Sequence, residues 1–113
     1  MKNAYERAQA DRMIPFLASI SREVGERVRI IRRKERVLER LRSNATEDAE
    51  TRVLQSELAN HKRALRHAEK ELERLGCALN DSPTRSVLIP GPSGALQGGY
   101  RWRLGESLVS ECG

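Results

Sequence analysis

An apolar repeat with alternating steps of four and three residues runs through two long stretches of this chain, and it constrains the fold more than any other feature. Such steps place the repeated side chains on one stripe of an α-helix, and two such stripes pack together as the seam of a coiled coil. The polar break between the stretches is short, so the sequence predicts an antiparallel hairpin of two helices. The repeat positions are Ala10, Ile14, Leu17, Ser21, Val24, Val28, Ile31, Glu35, Leu38 and Arg42, then Leu54, Leu58, His61, Leu65, Ala68, Leu72 and Leu75.

The first helix is predicted over residues 3–42. Asn3 is a suitable N-cap residue, and Glu6, three positions later, is its capping partner. Pro15 falls inside the apolar repeat, where a proline removes a backbone hydrogen bond and collides with the preceding turn. We therefore expect the first helix to be kinked or broken near Pro15.

The second helix is predicted over residues 47–75, because Gly76 supplies a C-terminal stop. Residues 77–113 hold three of the four prolines and cannot be helical throughout. Their β-branched and aromatic residues predict two or three short strands, with Gly105-Glu106 as a tight turn. These strands form a small antiparallel meander that must pack on the helices to be stable. The predicted strands are residues 86–89, 99–104 and 107–110, with a flexible loop over residues 90–99.

The size and composition of the chain bound its class. A chain of 113 residues predicts a single domain over residues 1–113. No apolar run approaches the roughly 20 residues of a membrane span, and charged residues near the N-terminus interrupt any signal peptide. The expected compartment is the cytoplasm, where Cys77 and Cys112 are most simply free thiols.

The apolar face of the first helix is wider than one partner helix can cover, whereas the second helix carries a narrow stripe. This asymmetry predicts a second contact surface on the first helix, and a homodimer or a protein partner is the leading interpretation. Two alternatives stay open: the meander covers the end of the face near Phe16, or the residues are scattered surface aliphatics. The predicted protein interface consists of Ile20, Ile30, Val37 and Leu41.

The outer face of the first helix is rich in arginine. Arginines spaced along one helical face can follow a phosphate backbone, which predicts a nucleic-acid-binding or ribosome-associated protein as the alternative function. No aromatic residue lies among them, so base stacking is not offered. The sequence favours an ordinary solvated surface instead, with Glu26, Glu35 and Glu39 as local ion-pair partners. The arginines of this face are Arg22, Arg29, Arg33, Arg36 and Arg40.

Two polar residues of the seam lie about one layer apart if the hairpin turns near residue 44. A Glu35–His61 pair would then fix the register of the two helices. The competing interpretations are a pH sensor and a metal ligand, but a metal needs more ligands than this pair. No nucleophile has a base at a recognisable spacing, and no glycine-rich loop lies between a strand and a helix. We predict no enzyme activity, metal, cofactor or small-molecule substrate.

Two segments of the sequence resemble a known family. Residues 100–106 read Tyr-Arg-Trp-Arg-Leu-Gly-Glu, and residues 8–17 read Ala-Gln-Ala-Asp-Arg-Met-Ile-Pro-Phe-Leu. Both are similar to segments of a small bacterial family of unknown function, the domain-of-unknown-function family two-two-zero-three. The resemblance implies two long helices followed by short strands. This chain departs from the family at Arg101, where the family has cysteine, at residues 88–90, where it has Asp-Phe-Pro, and at residues 111–112, where it has Trp-His.

Together these features predict a mainly α fold, in which an antiparallel two-helix coiled-coil hairpin carries a small C-terminal antiparallel β-meander. The predicted function is that of a non-enzymatic interaction or structural protein.

Overall fold

The computed structural model describes residues 3–43, 49–80 and 85–111. The fold is mainly helical, with a pair of long helices followed by a C-terminal four-stranded antiparallel sheet, which confirms the predicted fold class. Among the described residues, no helix is both long and apolar enough to cross a bilayer. The elements are α1 (Arg7–Arg12), α2 (Ile14–Ser43), α3 (Ala49–Arg74), β1 (Ala78–Asn80), β2 (Ser86–Ile89), β3 (Tyr100–Trp102) and β4 (Ser110–Glu111).

The chain divides into two compact units, and each long helix contributes to both. The terminal unit comprises Met1–Arg22 and Glu69–Gly113, and the helical unit comprises Glu23–Ala68. The assignment of residues 1–113 to one domain stays a prediction.

The helical unit is held together by the predicted apolar stripes. Ile31 and Leu38 of α2 form a buried cluster with Leu58 of α3, and Leu54 and Leu65 pack against it. Full burial of one such aliphatic side chain stabilises a fold by about 1.5–3 kcal/mol. The four-three repeat thus identified the core of this unit, while the interlocking side-chain geometry of a coiled coil stays a prediction.

The start of the first helix differs from the prediction. The N-cap is Glu6, whose backbone N–H donates to Gln9 Oε1 at 2.8 Å, and α1 begins at the next residue. Asn3 instead donates from Nδ2 to the carbonyl oxygen of Arg74 at 2.7 Å. The distortion expected near Pro15 is a break at Met13, which separates α1 from α2. Pro15 therefore lies in the first turn of α2, where its missing N–H costs nothing.

The second helix ends as the sequence predicts. Gly76 has a φ of +76°, a left-handed conformation that glycine adopts without strain. Its N–H donates to the Glu73 carbonyl at 2.9 Å, and the Cys77 N–H donates to the Leu72 carbonyl at 2.9 Å. These two bonds form a Schellman motif, which satisfies the last carbonyls of α3. The predicted start of this helix at residue 47 lies outside the described residues.

The four strands form a meander in sequential order, each antiparallel to the next. Val87 lies opposite Trp102, and Ile89 lies opposite Tyr100. These four side chains are buried on one face, because alternate residues of a strand share a face. Strand β2 matches the predicted residues 86–89, whereas the strand predicted over residues 107–110 is β4 at Ser110–Glu111, and β1 was not predicted.

The loop over residues 90–99 was predicted to be flexible, but backbone hydrogen bonds hold it. Gly91 N–H donates to Ala95 at 3.1 Å, and Gly99 N–H donates to Leu96 at 3.0 Å. Pro90 is fully buried. A Cβ at Gly99 would collide with the Ile89 carbonyl oxygen, so this position requires glycine for close backbone approach.

Polar side chains near the N-terminus tie the terminal unit together. The Tyr5 hydroxyl donates to the Leu75 carbonyl at 2.9 Å, and the Tyr100 hydroxyl donates to the Tyr5 carbonyl at 3.3 Å. Asp11 Oδ1 accepts a hydrogen bond from the Val109 N–H at 2.8 Å. Arg7 donates to the Val109 carbonyl at 3.2 Å. Sequence reasoning missed these contacts because they join residues 70 to 102 positions apart and leave no local signal.

Candidate functional site

The outer face of α2 in the helical unit carries a line of exposed arginines, which we call the arginine stripe. Its members are Arg29, Arg33, Arg36 and Arg40, and all four are exposed. They follow one another at steps of four, three and four residues, so they lie within about 60° of arc and span about 16 Å of helix. This arc is opposite the buried residues Ile31 and Leu38. Arg22, the fifth predicted arginine, is also exposed but belongs to the terminal unit.

The carboxylates that form ion pairs in this unit pair with cations outside the arginine stripe. Glu23 Oε1 accepts from Arg27 Nε at 2.7 Å within α2. Glu57 of α3 pairs with Lys34 of α2. This hydrogen bond and the charge of Lys34 lower the pKa of Glu57 below its usual value.

The expectation that Glu26, Glu35 and Glu39 neutralise the arginines locally is wrong for the described residues. Glu35 pairs with Lys62 of α3, with 3.6 Å between Oε2 and Nζ. Among the described residues, neither Glu26 nor Glu39 forms an ion pair. No member of the arginine stripe makes an ion pair or a side-chain hydrogen bond with any residue that the structure describes. The four guanidinium groups of the stripe are therefore exposed, and none has a pairing carboxylate in the part of the chain that the structure describes.

Two shallow depressions lie along the arginine stripe and share Arg33 and Arg36 as lining residues. The first is lined by Arg29, Arg32, Arg33, Glu35 and Arg36. The second is lined by Arg33, Arg36, Val37, Glu39, Arg40 and Ser43. Arginines make up four of the five residues that line the first depression and three of the six that line the second, and guanidinium groups bind phosphate and carboxylate groups through two parallel N–H donors.

The predicted apolar interface is only partly available. Ile20 is 7% exposed and belongs to the core of the terminal unit, so it cannot contribute to a free surface. Ile30, Val37 and Leu41 are half-buried in the helical unit. At 100° per residue these three lie within about 40° of one another on one flank of α2, beside the arginine stripe. The face is therefore narrower than the sequence indicated, because the single chain already covers part of it.

The predicted Glu35–His61 register pair is not formed. His61 Nδ1 lies 2.8 Å from Arg27 Nη1. Because a guanidinium only donates, His61 Nδ1 is the acceptor of this hydrogen bond. Glu35 is exposed and pairs with Lys62, one helical step from His61. That step of about 100° places the two predicted partners on opposite flanks of the helix pair.

Cys77 carries the most shifted ionisable group of the terminal unit. The side chain is a free thiol, 4% exposed, and burial raises its pKa from 9.0 to about 11. A thiol with this pKa is almost wholly protonated at neutral pH and is a poor nucleophile or metal ligand. Among the described residues, no group of three or more His, Cys, Asp or Glu side chains could hold a metal ion. The second predicted thiol, Cys112, lies outside the described residues.

The segment that carries the family resemblance forms a closed turn. Trp102 Nε1 donates to the Glu106 carbonyl at 2.9 Å, and Glu106 Oε1 accepts from the Arg103 N–H at 2.7 Å. The Glu106 N–H donates to the Arg103 carbonyl oxygen at 3.0 Å. Gly105, which lies between them in this turn, has a φ of +102°. These bonds join Trp102, Arg103 and Glu106, whereas the buried Arg103 Nε has no hydrogen-bond partner among the described residues. The bonds of this segment hold the turn between Arg103 and Glu106 closed.

Comparison with known proteins identifies the family. The family described as Uncharacterized conserved protein (DUF2203) matches residues 3–111 of the chain. No curated protein and no solved structure matches the chain. The match includes both segments on which the resemblance was based, at residues 8–17 and 100–106. The chain therefore belongs to this family of uncharacterized conserved proteins.

Proposed function

We propose that this protein acts by binding, and that the arginine stripe of α2 is a nucleic-acid-binding surface. The observation that carries the proposal is that, within residues 3–43, 49–80 and 85–111, no carboxylate pairs with an arginine of the stripe. Four exposed guanidinium groups lie in line on this face. The carboxylates of the helical unit that form ion pairs do so with Arg27, Lys34 and Lys62, none of which belongs to the stripe. An isolated fold gains little from four like charges in a row, because neighbouring like charges on a helix repel one another.

The expected binding is electrostatic. Each phosphate that an arginine neutralises releases condensed counterions, so affinity falls with salt. With four contacts, the logarithm of the association constant for duplex DNA should fall with the logarithm of salt concentration at a slope of about −3 to −4. A ribosome-associated role would use the same chemistry on ribosomal RNA.

A charge reversal with a matched control tests this proposal. In a fluorescence anisotropy titration at about 50 mM salt, the variant R29E/R33E/R36E should lose binding to labelled DNA and RNA. The control R52E/R63E/R66E makes the same charge change on exposed arginines of α3. Arg52 and Arg63 lie about 16 Å apart along the helix, so the control face has no continuous line of charge.

Helical circular dichroism is recorded for both variants, so that a loss of folding is separated from a loss of contact. The variant E39Q offers a test that does not depend on losing function. Glu39 lines one depression of the arginine stripe, and removing its charge should tighten binding by about twofold or more at low salt. Equal loss of binding in both triple variants, or no tightening in E39Q, would contradict the assignment to this stripe.

We propose self-association through Ile30, Val37 and Leu41 as the second candidate function. It is supported by the position of these three half-buried side chains on one flank of α2. A four-helix homodimer, or a protein partner in its place, would cover that flank. Size-exclusion chromatography with light scattering tests the homodimer, and a chain that stays monomeric at tens of micromolar rejects it. I30E/V37E should abolish association with unchanged helical circular dichroism, whereas lost helicity would make these residues internal core.

The proposal includes a cytoplasmic location and no catalytic activity. The free Cys77 thiol supports a reducing compartment, and its raised pKa supports a structural role for the only cysteine among the described residues.

A further inference from the structure

We infer that the arginine stripe recognises double-helical nucleic acid through its phosphate backbone, in preference to single strands and without reading base sequence. This inference rests on the proposed function and names the class of nucleic acid that the same site prefers.

The arginine stripe is straight and rigid on the length scale of a duplex. Its four guanidinium groups belong to one uninterrupted helix, α2, and their Cα positions rise by about 6, 4.5 and 6 Å in turn. A duplex carries one phosphate per strand for every ~3.4 Å of axis, so regularly spaced phosphates lie within the ~16 Å length of the stripe. A fixed line of cations therefore meets a fixed line of anions, whereas a flexible single strand must first be ordered.

The helical unit offers no platform for unstacked bases. The four aromatic residues of the chain all belong to the terminal unit, as residues Tyr5, Phe16, Tyr100 and Trp102. Stacking on aromatic side chains supplies about 1–3 kcal/mol per base to proteins that bind single strands. A single strand on the arginine stripe gains none of this energy and presents a lower charge density than a duplex.

The outward residues of α2 also lack the amide side chains that read adenine in the major groove. Between positions 26 and 40 the helix has no Asn or Gln, and its polar side chains there are all charged. The carboxylates Glu35 and Glu39 that line the depressions repel phosphates, which confines an anion to the guanidinium line. Contacts to phosphates fix position but carry no sequence information.

The test compares four probes on the full chain. The probes are duplexes of about 16 base pairs in DNA and in RNA, together with one labelled single strand of each, all of the same sequence. Anisotropy titrations are recorded at about 50 and 150 mM salt. We expect both duplexes to bind at least about fivefold more tightly than their single strands, because only the duplex matches the rigid line of charge. An unlabelled duplex of unrelated sequence should compete within about twofold.

Each other outcome has a distinct meaning. Single strands that bind as tightly as duplexes overturn this inference and leave the proposed function standing. A preference of more than about tenfold for one duplex sequence also overturns it, because direct base reading would then be required. No binding to any of the four probes at low salt overturns the proposed function and this inference together. Comparison of the two duplexes identifies DNA or RNA as the source of the phosphate backbone.

Discussion

The two compact units use their polar residues in opposite ways. In the terminal unit, Tyr5, Asp11 and Glu106 each form hydrogen bonds to backbone groups that the fold brings near them. In the helical unit, ion pairs lie along the junction of α2 and α3, and the arginine stripe on the outer face is left without partners among the described residues. Polar groups that already complete a fold are poor candidates for binding, so the helical unit carries the better candidate surface.

The distribution of charge follows the same division. Residues 23–68 contain 12 of the 21 basic residues and 8 of the 16 acidic residues, so they hold four of the five net positive charges. The aromatic residues have the reverse distribution, since all four lie in the terminal unit. One unit has the large side chains that build a compact core, and the other has the charge that attracts polyanions.

The largest effect should come from breaking the core of the terminal unit. Trp102 is 1% exposed, and its indole N–H is bonded to the Glu106 carbonyl. Trp102→Ala should lower the free energy of unfolding by about 3–5 kcal/mol, because it leaves a cavity and an unpaired acceptor. Urea denaturation followed by circular dichroism measures this change. Arg36→Ala on the arginine stripe is the control, and its free energy of unfolding should stay within about 0.5 kcal/mol of the parent value. Similar losses of stability in the two variants would contradict the contrast between the two units.

The four-three apolar repeat predicted the core residues of the helical unit, whereas residue types predicted only some of the strands of the terminal unit. Ile31, Leu38 and Leu58 were identified from the four-three repeat alone, because a helix face is a local property of sequence. Strand β2 was also predicted at its observed bounds from β-branched residues. Strand β1 was missed, since its three residues Ala78–Asn80 have little strand character and depend on pairing with β2.

The candidate site could be predicted as a row of residues but not as an unneutralised surface. Arg29, Arg33, Arg36 and Arg40 share a face by spacing alone, whereas the choice of partner for Glu35 depends on the rotation of α3. That rotation places Lys62 beside Glu35 and turns His61 towards Arg27. Burial of Ile20 is likewise a tertiary effect, since its helix position alone indicated a free flank.

An intermediate effect should come from removing one hydrogen bond that joins distant parts of the terminal unit. Asp11→Ala leaves the buried Val109 N–H without its acceptor and should cost about 1–3 kcal/mol of stability. Asp11→Asn keeps an amide oxygen at the same position and should recover part of the loss. Glu26→Ala, an exposed carboxylate in the helical unit, should have little effect. Equal stability of the two Asp11 variants would show that this bond does not hold the unit together.

A smaller effect should be visible as alkaline destabilisation of the terminal unit. Burial raises the pKa of Cys77 from 9.0 to about 11, so between these values the unfolded chain loses its proton while the folded chain keeps it. The stabilising contribution is complete below pH 9.0 and is lost as the pH rises to about 11. Thermal melts across this range should show a shallower decline for Cys77→Ala than for the parent. Burial and, to a smaller extent, the charge of Cys77 raise the pKa of Tyr5, so Cys77→Ala also removes the part of the Tyr5 shift that comes from Cys77. Parallel declines would contradict the role assigned to Cys77.

The smallest effect should be found in the helical unit on the acid side. The hydrogen bond from Lys34 lowers the pKa of Glu57 below the ordinary value of 4.5. Stability from this pair is therefore present above pH 4.5 and is lost as the pH falls through the lowered pKa. Glu57→Gln should show a slightly smaller drop in melting temperature between neutral pH and about pH 3 than the parent, because the pair is partly exposed and screened by water. Lys34→Gln should reproduce this behaviour, and the double variant should add nothing further, since both substitutions remove the same contact. Additive effects of the two substitutions would instead mean that each residue acts through a different neighbour. The ion pair between Lys34 and Glu57 would then not account for the loss of stability of this unit at acid pH.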